Sequence, residues 1–182
     1  MASHTRSAMG RRLLTLVLGA LFGALLHISQ VILAGLPNIE LVSLLIIVWT
    51  RVFRWGALPG IAVFILLQGL MYGFGIFWIS YLYIWFLLWG IVMLIPRRPV
   101  PLLLRAVGWA LLSGTYGFAF GALTAIPWFF IGGPSAALSY WLAGLFFDAL
   151  HAGGNFAFAL ILAVPLMDIL RKIGRSAHMP DP

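Results

Sequence analysis

The sequence predicts an all-α integral membrane protein, a compact bundle of six transmembrane helices with both termini cytoplasmic. Three observations carry that expectation. The 182 residues are 63% apolar and only 8% charged, whereas a soluble domain carries roughly 25% charged residues. Such a chain cannot cover a water-facing surface, so lipid is its solvent. Its apolar runs approach the roughly 20 residues of a bilayer crossing, and they are too long and uniform for the alternating strands of a barrel. Its 11 Lys and Arg residues are also confined to the segments that would connect or flank those runs on one side.

The first run, residues 13–33, follows Arg6, Arg11 and Arg12. It imitates a secretory signal, but it continues into more apolar sequence without a small-residue cleavage site, and it is read as a retained span. The second run, 39–53, is short and starts at Glu40. The third, 57–72, is separated from it only by a segment containing Arg51 and Arg54. The fourth, 76–95, ends at Pro96-Arg97-Arg98-Pro99. The fifth, 102–126, ends at Pro127, and the sixth covers 136–170. With this count, every Lys and Arg falls on one side, because Arg105 belongs with Arg97 and Arg98, and Arg171, Lys172 and Arg175 follow the last run. The opposite loops, 34–38, 73–75 and 127–135, contain none. Basic residues concentrate in cytoplasmic loops, which sets the orientation. Residues 1–182 form a single domain on this reading, with loose cytoplasmic tails at 1–10 and 176–182.

The net charge of +7 is therefore ascribed to membrane topology and not to nucleic acid. The absence of cysteine excludes disulfides and thiolate metal sites. There is no Walker-type phosphate loop and no HExxH or GxSxG motif. No metal, cofactor or nucleic-acid partner is expected.

Candidate site residues are the polar groups inside the apolar runs. Asp148, His151 and Asn155 are spaced i, i+3 and i+7 and share one helix face. An ionised carboxylate at mid-membrane costs at least about 2.5–3.5 kcal/mol and ordinarily faces a cavity or a partner. The alternative is an internal lock that fastens the last helix to its neighbours. Glu40 lies at the outer end of the second run, where it is either a ligand contact or a solvated cap beside Asn38 as N-cap. Aromatic residues crowd the same depth: Trp78, Tyr81 and Trp85 on one face of the fourth helix, and Trp128 at the fifth loop. An interfacial belt explains aromatics one at a time. Their coincidence with acids suggests a pocket for a small flat molecule with donors or positive charge. Small residues mark packing faces: Gly19, Ala20, Gly23 and Ala24 on the first helix, and Gly114, Gly117 and Gly121 on the fifth, where packing inside the bundle is the preferred reading.

The segments Ala20-Leu21-Phe22-Gly23-Ala24, "NIELVSLLIIVWTRVF", "GLMYGFGIFWISYLYIW" and "YWLAGLFFDALHAGGNF" resemble those of substrate-binding (S) components of energy-coupling factor (ECF) transporters. The resemblance extends over the whole chain in size, helix number and basic inner loops. It implies vitamin or micronutrient uptake at a prokaryotic cell membrane. The solute would be held near the outer face by helices four to six and covered by loops 34–38 and 129–135. The resemblance further implies that Ala20 and Ala24 pack against a transmembrane coupling (T) component, with Gly19 and Gly23 beside them, and that two separate ATPase subunits hydrolyse ATP. Substrate contacts are expected at Glu40, Trp78, Tyr81, Trp85, Trp128, Asp148, His151 and Asn155. None of these residues matches a recognised vitamin signature, so the substrate is unassigned. Two other classes remain open: an intramembrane enzyme with Asp148 and His151 as an acid–base pair, joined by His27, and a structural membrane subunit.

Overall fold

The computed structural model describes residues 2–176. Six α-helices follow one another, with no strand among the described residues: α1 (Ala2–Ile32), α2 (Val42–Phe53), α3 (Leu58–Tyr72), α4 (Ile76–Leu94), α5 (Leu102–Thr124) and α6 (Ile126–Ser176). A 3-10 turn, Arg54–Ala57, joins α2 to α3. Residues 177–182, expected to be a loose tail, lie outside the described residues. At the other terminus α1 already begins at Ala2, so helix covers the expected amino-terminal tail.

Local chemistry sets these boundaries. Pro59 occupies the first turn of α3, where its missing N–H has no intrahelical acceptor to lose. Gly73, with φ of 90°, terminates α3 in a conformation that L-residues rarely adopt. Pro96 and Pro99 stop α4. The fifth loop differs from expectation. Residues 126–132 are helical, and the chain breaks at Gly133 (φ 76°, ψ −172°) before Pro134 lets the helix resume. Pro127 was read as a terminator, yet it is equally suited to the first turn of a new helix.

Four stretches are long and apolar enough to cross a membrane: Leu13–Ile32, Val42–Tyr72, Ile76–Leu94 and Leu102–Thr124. Among the described residues these four helices suggest a membrane protein, and they do not by themselves bear out the six crossings expected. The expected second and third crossings form one apolar stretch interrupted at Arg54, whose φ is 52°. α2 has 12 residues, about 18 Å at 1.5 Å per residue, which is short of a roughly 30 Å hydrocarbon core.

α2 is nonetheless the hub. Eight of its 12 residues are buried, and it packs on α4, α6, α5 and α1. Phe22 of α1 stacks on Trp49 of α2, with centroids 4.2 Å apart. Two arginines clamp its far end. Arg51 donates to the carbonyls of Ile95 and Pro96 at 2.8 and 2.9 Å, beyond the last turn of α4. Arg97 returns a bond to the Arg51 carbonyl at 3.0 Å. Each guanidinium thereby satisfies carbonyls that a helix end leaves without partners.

α1 packs chiefly on α3. A Cβ at Gly19 would lie 2.6 Å from Pro59 Cβ, and one at Gly23 would lie 2.7 Å from the Gly60 carbonyl oxygen. Both glycines are therefore buried in an internal seam, not on the outward partner surface expected of them. Ala20 is exposed and Ala24 half-buried, so these two alone carry the rest of the stripe outward. Because the atom facing Gly23 is backbone, it cannot swing aside. We expect Gly23→Val to destabilise the protein by about 1–3 kcal/mol and Ala20→Val to leave stability unchanged, as measured by thermal unfolding in detergent.

Candidate functional site

Two polar clusters occupy the apolar bundle. The first joins α2 to α6. Glu40 stands just before the α2 N-cap, Leu41. Its carboxylate accepts from the Ser43 backbone N–H at 3.0 and 3.3 Å. Glu40 therefore caps the helix itself, while Asn38, the expected cap, is exposed with φ of 53°. The same carboxylate lies 3.0 Å from His151 Nε2. An ionised carboxylate only accepts, so Nε2 carries the proton and donates it. The side chains of His151 and Glu40 are 4% and 12% exposed. The contact spans 111 residues of sequence.

The rest of the trio packs on α5. A Cβ at Gly121 would collide with the Asp148 carboxylate, and one at Gly117 would lie 2.9 Å from Asn155 Nδ2. At Gly114 the neighbour is Phe156 Cβ, 3.0 Å away. The glycine stripe of α5 is thus the surface on which the polar stripe of α6 rests. Asp148, His151 and Asn155 are buried in the α5–α6 seam. They line neither of the two cavities described below, contrary to the chamber expected beside them. Their hydrogen-bonding capacity is not exhausted, because Asp148 Oδ2, His151 Nδ1 and both Asn155 amide atoms have no protein partner.

The second cluster links α1, α3 and α4. Gln68 Nε2 donates to Gln30 Oε1 at 2.7 Å and lies 3.2 Å from His27 Nδ1. Gln30 Nε2 donates to the Tyr81 hydroxyl at 3.2 Å. These groups border a cavity of about 410 Å³ lined by Gln30, Gln68, Tyr72, Trp78 and Tyr81 together with the α3–α4 turn. Its size falls within the usual range of small-molecule sites, roughly 300–1,000 Å³. Trp78 is fixed there by a 2.8 Å bond from its Nε1 to the Ile65 carbonyl, so it presents its ring face and not its N–H.

Rings connect the two clusters. Tyr81 packs edge-on against Trp85, with centroids 5.4 Å apart. Phe120 of α5 is 5.7 Å from Trp85, 6.5 Å from Tyr81 and 4.9 Å from His151. Of the expected contact residues, Trp78 and Tyr81 line the cavity, Trp85 is buried against Tyr81, and Glu40, Asp148, His151 and Asn155 are not part of the lining. Trp128 stands apart, stacked on Tyr140 at 5.3 Å. His27 joins Gln68 and not Asp148, so the three groups of the enzyme alternative do not assemble. Sequence reasoning passed over Gln30 and Gln68. Each is an amide inside an apolar run, the same signal that singled out Asn155, and Gln30 follows His27 at i+3.

The fold and these clusters define an all-α protein with membrane-capable helices and polar groups inside the bundle. No family model matches the chain, and neither a curated protein nor a solved structure matches it.

Removing His151 leaves the largely buried Glu40 carboxylate with the Ser43 N–H as its remaining partner. We expect His151→Leu to lower stability by about 3 kcal/mol, whereas Glu40→Gln, which keeps an acceptor facing Nε2, lowers it by about 1 kcal/mol. Thermal unfolding of the detergent-solubilised variants measures both.

Proposed function

We propose that this chain is a membrane-embedded solute-binding subunit of an importer, the role implied by its resemblance to ECF S components. One observation carries the reading: a cavity of small-molecule size, walled by aromatic rings and edged by hydrogen-bonded amides, at the opposite end of α4 from the arginines. Its solute is a small, flat, vitamin-like heteroaromatic. The ring packs on Trp78 and Tyr72, and its polar edge exchanges hydrogen bonds with Gln30, Gln68 and the Tyr81 hydroxyl. That hydroxyl accepts from Gln30 and keeps its own proton to donate. Glu40 and the Asp148–His151–Asn155 stripe position α2, α5 and α6 behind the ring wall. Gly133 permits the segment 126–132 to move as a cover. Ala20 and Ala24 face a coupling component, and the driving ATP hydrolysis belongs to separate partner subunits.

The orientation completes the proposal. The chain crosses six times, with α2 and α3 as a short pair turning at Arg54, and both termini share the arginine side, the cytoplasm. Single cysteines introduced into this cysteine-free sequence test it. Gly35→Cys is expected to react with a membrane-impermeant maleimide in intact cells, and Arg98→Cys only after permeabilisation. Labelling of both in intact cells overturns the topology.

The solute is identified by mass spectrometry of small molecules that co-purify with the protein. Gln68→Leu is expected to weaken its binding at least about tenfold with the unfolding midpoint within a few degrees of wild type. Asp148→Asn is expected to lower the midpoint and to leave affinity within about twofold. The reverse pattern would move the contact set to α6.

A further inference from the structure

At the other end of the bundle, six arginines converge on one cavity of about 1000 Å³: Arg51, Arg97, Arg98, Arg105, Arg171 and Arg175. They come from α2, the α4–α5 connection, α5 and the end of α6, so folding brings together residues more than 120 positions apart. Among the described residues, one carboxylate pairs with them. Asp168 accepts from Arg171 Nη1 at 2.9 Å and from Arg105 Nη2 at 3.4 Å. Several guanidiniums are held in place. Arg51 bonds two carbonyls and lies 5.3 Å over the Trp109 ring, and Arg97 bonds the Arg51 carbonyl. Cytoplasmic preference accounts for basic residues on one side of a membrane. It does not require that they surround a common space with one acid among them. The walls between the guanidiniums are apolar, supplied by Val52, Phe53, Val100 and Leu104. Leu94, Leu102 and Leu103 stand exposed beside the connection that carries Arg97 and Arg98.

A phosphate matches the arginine forks. An apolar rim beside them suits the acyl chains attached to a lipid phosphate and offers nothing to a free ion. We infer that this cavity binds the phosphate headgroup of an anionic membrane phospholipid. Basic pockets between membrane helices recognise such headgroups electrostatically, each Lys or Arg contributing about fivefold to affinity. The inference is independent of the solute cavity, whose residue Tyr81 lies about 21 Å along the α4 axis from Ile95 of the arginine cavity.

The test uses the full chain, delipidated in detergent, with unfolding followed by tryptophan fluorescence. Phosphatidylglycerol, zwitterionic phosphatidylcholine and inorganic phosphate are titrated separately. The anionic lipid is expected to raise the unfolding midpoint by several degrees, and the other two to leave it unchanged. Arg98→Gln/Arg175→Gln removes two exposed arginines from the lining. It is expected to keep the lipid-free midpoint and to weaken the lipid effect roughly thirtyfold. Arg54→Gln/Lys172→Gln removes the same charge outside the lining and is expected to weaken it no more than about threefold. Stabilisation by inorganic phosphate alone would reject the lipid as the source of the phosphate. Equal stabilisation by phosphatidylcholine, or equal loss in the two double variants, would overturn the site.

Discussion

A carboxylate and an imidazole 3.0 Å apart inside an apolar bundle constrain everything around them. Neither group has water to fall back on, so each depends on the other and on the elements that carry them. Glu40 is doubly committed, since it also caps the first turn of α2 through Ser43. The position of the helix hub is therefore coupled to the rotation of α6. Turning α6 by one residue, about 100°, would carry His151 away from Glu40 and Asp148 away from Gly121. The α5 glycines are the counterpart of that constraint. They create room for polar side chains between two closely packed backbones: a Cβ at Gly121 would displace the Asp148 carboxylate, and one at Gly117 or Gly114 would crowd α6 at 2.9–3.0 Å.

The two ends of the molecule rest on different physics. At one end, arginines satisfy helix-end carbonyls and converge on a common cavity. At the other, neutral amides, a phenol and rings surround a smaller space. A neutral lining holds a solute without the desolvation penalty that a charge would bring, and neither Glu40 nor His151 is among the residues that line that space. In the proposed importer this separation allows capture and release to differ, because ligand contacts change without disturbing the bond that fixes α2 to α6.

Much of this was legible in the chain. The apolar runs and their Pro, Gly and Arg punctuation place the middle four helices within a few residues, since those signals are local, whereas α1 and α6 each begin about ten residues before the run that was expected. The shared face of Asp148, His151 and Asn155 follows from helix periodicity alone. What faces that stripe is not local. The partner of His151 is 111 residues away, and a periodicity argument carries no information about which helix will stand opposite. The assignment of the stripe to an open chamber came from giving weight to charge over amide. An ionisable group in a membrane attracts attention, yet beside the expected Tyr81 the polar groups around the smaller cavity are Gln30 and Gln68, whose neutrality makes them easy to overlook. Pro127 misled for a related reason, because a proline marks a helix end or a helix start with the same letter.

Gly133 gives the last step. α6 continues from Pro134 to the arginine end, and the segment before it, residues 126–132, meets it at Gly133, a residue in the left-handed region, and through the stack of Trp128 on Tyr140. Phe129, Phe130 and Ile131 on that segment are exposed, while Pro127 is buried and Trp128 half-buried. A glycine hinge lets that segment reorient once the Trp128–Tyr140 stack parts, while the helix behind it is tied through His151 and the α5 glycines. Motion at the outer end can therefore occur without propagating to the arginine end. In the proposed importer, that mechanical division is what would let one end open while the other stays docked.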